Sequence, residues 1–384
     1  MNHPVDRRKF LGLGAVGLKA CVTSGLAVGL SSCVSLGCGQ KKRTGPFAGR
    51  ELRVFVYAGG HEKTMREVFV PAFEQATGAN VSLYPGWWDG IAKLKASPEK
   101  SPPFDLFITD ATQGYPAARE GLFAQLDLAN IPNHKNLVYG ALDNWIFRDR
   151  YGITYPDSVM TLAYGKKQSQ KAPAEWSDLF GPNLSGKIGL YNSFYMSLYT
   201  IACIKADLDG HPGTAQDLIR KDTDGVLRFA RQNRDRVKLW WPTSTDMILA
   251  LANGECAAGN MHSPEYIAAL REKPDLGAVV PDRDRAFVQV FWAIPAGSPN
   301  KDLAEWAMNL IFGDELQKEF GRRGSATAIL SVAETLSKED PFWKQLYPHT
   351  HEQFQSLQYY PYDFYAQNWD SLADTWDRTI LRKG

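Results

Sequence analysis

The chain of 384 residues is almost neutral, with 43 basic and 42 acidic side chains and a net charge of +1. This balance argues against nucleic acid or an anionic membrane surface as the main partner. Its length suits two globular domains, and its 11 Trp, 16 Tyr and 19 Phe suit a site for an organic ligand.

The first 33 residues predict an export signal. Arg7 and Arg8 form a twin arginine. A weakly hydrophobic stretch rich in Gly, Ala and Leu comes after it, as in a twin-arginine export signal. Lys19 and the glycines make this stretch a poor membrane span. "LSSC" resembles a lipobox, in which Cys33 would be lipidated; Cys38 is a second candidate, and a plain cleaved signal is the alternative. Residues 34–50 are interpreted as a polar tether.

Only two cysteines, Cys203 and Cys256, follow the tether. Export permits a disulfide between them, and two buried free thiols are the alternative. No CxxC or Cys/His spacing suggests a zinc site, so the sequence predicts neither a metal nor a cofactor.

Strands and helices are predicted to alternate in the first part of the folded chain. Apolar runs predict strands at 51–60, 79–86 and 104–110, and helical spacing predicts helices at 61–78, 88–97 and 115–123. This order is typical of a parallel sheet, in which ligands collect at the carboxyl ends of the strands. The three ends carry Tyr57, Trp87, Asp89 and Asp110.

Two features at these strand ends have alternative interpretations. Adjacent residues cannot easily face the same way, so we expect one of Trp87 and Trp88 to face the cleft and the other to pack under the helix. Asp110 and Asp89 each precede a helix, so either carboxylate could cap that helix or contact a ligand.

The region from about 150 to 285 repeats the α/β pattern. It predicts a strand at 186–193, a buried helix at 194–206 and a strand–helix–strand–helix unit at 236–270, with Thr243 or Ser244 as a helix N-cap. Tyr195 belongs to a stripe of tyrosines at four-residue spacing, which could pack in the core or offer a stacking surface to a ligand. A long extended stretch is predicted at 277–297.

Several phrases, in this order, resemble the periplasmic solute-binding proteins of ABC importers, especially the spermidine/putrescine-binding branch. They are "LRVFVYAGG", "PPFDLFIT", "APAEWSDLFGPNLSGKIGL" and "FWAIPAGSPNKDLAEWAMNLIFGDELQKEF", and the resemblance spans nearly all of residues 51–340. It implies an α/β, bilobal periplasmic-binding-protein fold of type II-like character, with two lobes joined by extended hinge strands. Lobe 1 would comprise 51–150 and about 290–340, lobe 2 would comprise 151–289, and a C-terminal helical segment, 341–384, would pack across both.

The resemblance also implies a function and a set of contacts. The expected protein captures a small organic amine, polyamine-like or related polar solute by hinge closure and delivers it to an ABC permease, as a monomer without enzyme activity. Polyamine binders of this family hold ammonium groups with carboxylates and stack the alkyl chain on aromatic rings. This chain has Val290 where the family tends to have an acid. The expected contacts are Tyr57, Trp87, Asp89, Asp110, Asn192, Tyr195, Ser244, Asn260 and His262.

Three other functions stay open from the sequence. Adjacent tyrosines bind iron in ferric-binding relatives of this fold, but Tyr359-Tyr360 lies near the C-terminus, where helix packing is favoured. An exported enzyme lacks support, because the sequence has no HExxH, G-x-S-x-G, P-loop or Rossmann glycine pattern. A lipid-anchored sensory protein on a binding fold is the third.

Overall fold

A sheet of 11 strands runs through the computed structural model, which describes residues 44–98, 100–138, 142–169 and 171–381. The proposed signal, with Arg7, Arg8, Cys33 and Cys38, lies outside the described residues. The strands are β1 Glu51–Tyr57, β2 Asn80–Gly86, β3 Leu106–Asp110, β4 Phe123–Ala124, β5 Ile153–Gly165, β6 Ile188–Tyr191, β7 Val237–Trp241, β8 Ala258–His262, β9 Leu276–Val279, β10 Ala286–Pro295 and β11 Gln358–Tyr359.

Helices pack on both faces of this sheet. Their bounds are α1 Gly60–Thr64, α2 Val70–Thr77, α3 Gly90–Lys95, α4 Ala111–Arg119, α5 Trp145–Arg148, α6 Phe194–Leu208, α7 Ala215–Lys221, α8 Thr223–Asn233, α9 Ser244–Ala252, α10 Ser263–Glu272, α11 Lys301–Ile311, α12 Asp314–Arg322, α13 Leu330–Glu339, α14 Pro341–Leu346, α15 His351–Gln355 and α16 Tyr362–Trp376. A π-helical turn, Met65–Phe69, joins α1 to α2.

The first three strands form the parallel unit that the sequence predicts. Strand β1 lies between β2 and β3 and is parallel to both. All five residues of β3 are buried, and so are Leu52, Val54, Phe55 and Val56 of β1. Such nearly continuous apolar runs are typical of parallel strands that have helices on both faces.

Two long antiparallel strands connect this group to a second one. Strand β10 lies between β3 and β5, and all ten of its residues are buried. The first half of β5, up to Val159, pairs with β10, whereas Met160–Gly165 pairs with β8 and β9. Strands β6, β7 and β8 complete the second group. We call β1, β2, β3 and their helices the first strand group, and β6 to β9 and theirs the second.

The structure differs from two of the predicted elements. Helix α4 begins at Ala111, directly after β3, because the Asp110 side chain caps it by accepting a hydrogen bond from the Thr112 amide. The long extended stretch is two strands, because the Asp284 carboxylate bonds the amides of Gly213 and Ala215 and bends the chain between β9 and β10.

Both described cysteines are free thiols. Cys203 and Cys256 are both buried and free, so the free-thiol alternative is correct.

In the part of the chain that the structure describes, every helix is too short or too polar to cross a bilayer.

Candidate functional site

Two of the three predicted strand ends meet as stacked aromatic rings. Tyr57 at the end of β1 lies 5.3 Å from Trp87 with the ring planes 15° apart, and 5.7 Å from His61. His61 Nδ1 is shielded from solvent and has no hydrogen-bond partner within the described chain. The Tyr57 hydroxyl is buried beside the main chain of Asp110. Of these two polar atoms, His61 Nδ1 is available to a bound molecule.

The tryptophan pair does not split as expected. Trp87 is 53% exposed and Trp88 is 48% exposed, so the prediction that one of them packs under the following helix is wrong. The Phe55 ring fills that space, and it lies so close that a Cβ on Gly90 would be 2.6 Å from it. Trp88 instead reaches the second strand group and C-terminal helix α16, with its ring 6.4 Å from Tyr195 and 5.4 Å from Trp369.

Asp110 bridges the two strand groups as well as capping α4. Its Oδ1 accepts hydrogen bonds from the Thr112 amide at 2.7 Å and hydroxyl at 2.5 Å, and its Oδ2 accepts one from the Tyr195 hydroxyl at 2.7 Å. Burial raises the pKa of Asp110 to about 6, although these donors oppose the shift. The capping interpretation is confirmed, and contact of Asp110 with a solute stays a prediction.

Tyr195 and His262 come together in the second strand group. Ser193 caps α6 and so fixes Tyr195 in the first turn of the helix, where its ring lies 6.5 Å from that of His262. His262 Nε2 is shielded and has no partner among the described residues. Burial lowers the pKa of His262 to about 4, so the imidazole is neutral at pH 7.

Two of the predicted contacts have structural roles in the second group. The buried Asn260 side chain accepts from the Tyr191 amide at 2.9 Å and donates to Ser197 Oγ and Thr200 Oγ1 at 3.2 and 2.8 Å. Asn192 is held through its main chain, since Trp376 Nε1 donates to its carbonyl at 2.9 Å.

Asp89 and Ser244 lie at the N-termini of helices α3 and α9, and the Asp89 carboxylate accepts a hydrogen bond from the Trp87 amide at 3.0 Å. Asp89 is exposed and its carboxylate forms an ion pair with Lys93 at 2.6 Å, so it is already neutralised. Ser244 is the first residue of α9, whose N-cap is Thr243. Contact of Asp89 or Ser244 with a solute stays a prediction.

Two carboxylates that the sequence reasoning missed lie beside this site. Asp157 of β5 is half-buried, and burial together with the neighbouring Glu265 and Asp110 carboxylates raises its pKa to about 7. Glu265, in the first turn of α10, keeps solvent access, yet the protein atoms around it raise its pKa too. No described lysine, arginine or histidine forms an ion pair with either carboxylate. The site therefore has an uncompensated negative charge.

A small cavity of about 20 Å³ lies beside β5. Tyr155 lines it, and the Asp157 carbonyl accepts a hydrogen bond at 3.4 Å from the amide of Ala326, another lining residue. His61 and Trp292 line it as well, with ring centroids 6.0 Å apart. A cavity of this size has room for about one water molecule, so it does not enclose an organic solute in this conformation.

The raised pKa values predict a pH dependence of stability. Asp110 with a pKa of about 6 and Asp157 with a pKa of about 7 hold more protons in the folded chain than in the unfolded chain, where their ordinary value is 3.8. Their contribution to the free energy of unfolding therefore falls as the pH rises from about 4 to about 7. Thermal unfolding of the wild type and Asp157→Asn at pH 5 and 8 tests this. The wild type should lose more stability than the variant over this interval, and parallel losses would contradict the assignment.

The described ranges contain no cluster of candidate metal ligands. No group of three or more His, Cys, Asp or Glu side chains is placed there to hold a metal ion. Tyr360 is buried, and its ring packs 5.1 and 5.2 Å from those of Tyr195 and Tyr199.

Comparison with known proteins gives a consistent result. Residues 69–347 match the family described as bacterial extracellular solute-binding protein. The γ-aminobutyric acid-binding protein of Pseudomonas aeruginosa is 26% identical over 281 residues, which are 71% of this chain and 75% of that protein.

Solved structures have the same fold. A γ-aminobutyric acid receptor superposes with a TM-score of 0.72 at 17% identity, over 87% of this chain and 99% of the receptor. The spermidine/putrescine ABC transporter substrate-binding protein of Streptococcus pneumoniae superposes with a TM-score of 0.68 at 18% identity, over 86% of this chain and 99% of that protein. The periplasmic-binding-protein fold predicted from the sequence is confirmed.

Proposed function

Because this chain belongs to the family of bacterial extracellular solute-binding proteins, we propose that it is the solute-capturing component of an ABC importer and that its solute is a small organic amine. The observation that carries the choice of an amine is the pair of carboxylates of Asp157 and Glu265, which have no cationic partner among the described residues. Burial is the main cause of both raised pKa values, and a positively charged solute would offset the cost of keeping the two carboxylates ionised.

The surroundings of the carboxylates support an ammonium group with a short carbon chain. The exposed Trp87 ring, which stacks on Tyr57, provides a face that attracts a cation. His61 Nδ1 and His262 Nε2 are unused by the described chain and can serve a second polar group of the solute. The relatives named for γ-aminobutyric acid, spermidine and putrescine are consistent with this chemistry.

The mechanism that we propose is capture by closure of two lobes, without bond chemistry. Strands β5 and β10 would act as the hinge. The first half of β5 pairs with β10, which pairs with β3 of the first strand group, whereas its second half pairs with β8 and β9 of the second group. A solute that contacts both lobes shifts the equilibrium toward the closed form, which a permease in the membrane would recognise. The proposed lobes are residues 51–150 with about 290–340, and residues 151–289.

The export route, the lipid anchor and the oligomeric state are further proposals, since the family itself indicates only an extracellular location. We propose export by the twin-arginine route, lipid anchoring through Cys33 and action as a monomer that feeds a permease. Arg7, Arg8 and Cys33, on which the export route and the lipid anchor depend, lie outside the described residues.

A thermal-shift screen tests the proposed function directly. Putrescine, spermidine, γ-aminobutyric acid, neutral amino acids, thiamine, phosphonates and Fe(III) are added separately to the purified chain. A compound at about 100 times its Kd adds about 2.7 kcal/mol to the free energy of unfolding. We expect stabilisation by at least one amine. Stabilisation by Fe(III) alone would favour the ferric-binding alternative, and turnover of any compound would favour an enzyme.

A further inference from the structure

The C-terminal helix α16 contacts both strand groups, although it lies beyond residue 347, where the family match ends. Asp363 forms an exposed ion pair with Arg119 of α4 at 3.3 Å on the side of the first group. On the side of the second group, the Tyr365 ring packs 5.5 Å from Phe194, and the Trp376 ring packs 5.6 Å from Trp240. The helix therefore spans the region between the two groups.

The first residue of this helix lies in a buried chain of hydrogen bonds. The Gln289 amide of β10 donates to the Tyr362 hydroxyl at 2.8 Å, and the Tyr362 and Tyr195 hydroxyls are 2.8 Å apart. Tyr195 donates to Asp110 at 2.7 Å, and the Tyr115 hydroxyl donates to Gln289 Oε1 at 2.7 Å. The side chains of all five residues are buried, at 3 to 8% exposure.

The donor and acceptor of each hydrogen bond in this series follow from the number of hydroxyl protons available. While Asp110 is ionised its carboxylate can only accept, so the single hydroxyl proton of Tyr195 is committed to it. The Tyr362 hydroxyl must then donate to Tyr195 and accept from the Gln289 amide. Each phenol donates once and accepts once, an arrangement in which neighbouring hydrogen bonds strengthen one another.

Resting on the proposed solute-binding function, we propose that Tyr362 is a positioning residue for solute capture. Its hydroxyl holds the Tyr195 ring in the orientation that faces His262 and Trp88, and it ties the hinge strand β10 to Asp110 through Tyr195. The C-terminal helix is then part of the mechanism that keeps the two strand groups together, and the rate at which a solute leaves depends on it.

Two hydroxyl deletions in the same helix separate this role from simple packing. Tyr362→Phe removes the hydroxyl that bonds Tyr195 and Gln289. Tyr365→Phe is the matched control, since Tyr365 is equally buried and its hydroxyl has no partner among the described residues. Both variants keep the aromatic ring and its packing.

Three measurements on the full chain are compared: the radius of gyration by X-ray scattering, the dissociation rates of putrescine and γ-aminobutyric acid, and the thermal midpoint. We expect Tyr362→Phe to enlarge the solute-free protein and to raise the dissociation rate of whichever amine binds by about three- to tenfold, the scale of one neutral hydrogen bond. Tyr365→Phe should match the wild type in both.

The proposal is overturned if the two variants have the same radius of gyration and the same dissociation rates, even when Tyr362→Phe has the lower thermal midpoint. That result would leave Tyr362 a purely structural residue. If neither amine binds the wild type, the proposed solute class fails, while the scattering comparison still decides the role of Tyr362.

Discussion

Asp157→Asn is expected to weaken the binding of a small cationic amine by about 10- to 100-fold, the scale of a charge-assisted hydrogen bond. The wild-type carboxylate is half-buried, has two acidic neighbours and has no described cationic partner. The amide keeps the shape of the side chain but cannot neutralise an ammonium group. Isothermal titration with putrescine and γ-aminobutyric acid at pH 8 measures the loss.

The same substitution should make the solute-free protein more stable. At pH 8 the wild type must hold Asp157 ionised although its pKa is raised to about 7. Removing this charge should add about 1 to 2 kcal/mol at pH 8 after allowance for solvent access, and little at pH 5. Asp275→Asn is the control, because that exposed carboxylate pairs with Lys167 on the surface and should affect neither quantity. A variant that binds as tightly as the wild type would remove Asp157 from the site.

Asn260→Ala is expected to destabilise the fold by about 2 to 4 kcal/mol, because its fully buried side chain uses its carbonyl and both amide hydrogens. The substitution leaves the Tyr191 amide without its acceptor at the end of β6. It also removes the donor that Ser197 and Thr200 share. Urea unfolding of the solute-free protein measures this loss.

Asn192→Ala provides the comparison, since the bonds of Asn192 to Trp241 and Trp376 run through its main chain. We expect a change within about 0.5 kcal/mol for this substitution. If Asn260→Ala instead kept full stability and lost only amine binding, Asn260 would be a solute contact, as the sequence pattern suggested, and its structural role would be minor.

The fold could be predicted where the information is local. The apolar runs of β1 and β3 and the spacing of the intervening helices depend on neighbouring residues, and these elements formed as expected. The start of α4 could not be placed by hydrophobic spacing, because it is set by one capping contact from Asp110. The break between β9 and β10 escaped prediction because Asp284 bonds amides about seventy residues earlier in the chain.

The candidate site was harder to predict for the same physical reason. Tyr57 and Trp87 follow strands of one sheet edge, so topology alone brings them together. Asp157 lies in the β5 sequence "ITYPDSV", where an acid gives no local sign of lying near Glu265, more than a hundred residues later in the chain. One of Trp87 and Trp88 was expected beneath a helix because nothing in the sequence shows that Phe55 already occupies that space.

The most direct test of an amine held by Asp157 is proton release on binding. Asp157 has a pKa near 7, so at pH 6.5 much of the solute-free protein carries a proton there, and a bound ammonium group must displace it. Calorimetric titration of putrescine or γ-aminobutyric acid in buffers of different ionisation enthalpy measures the protons exchanged. We predict net release at pH 6.5 that disappears at pH 8.5 and in Asp157→Asn. Tight binding with no proton exchange at pH 6.5, or with proton uptake, would contradict it.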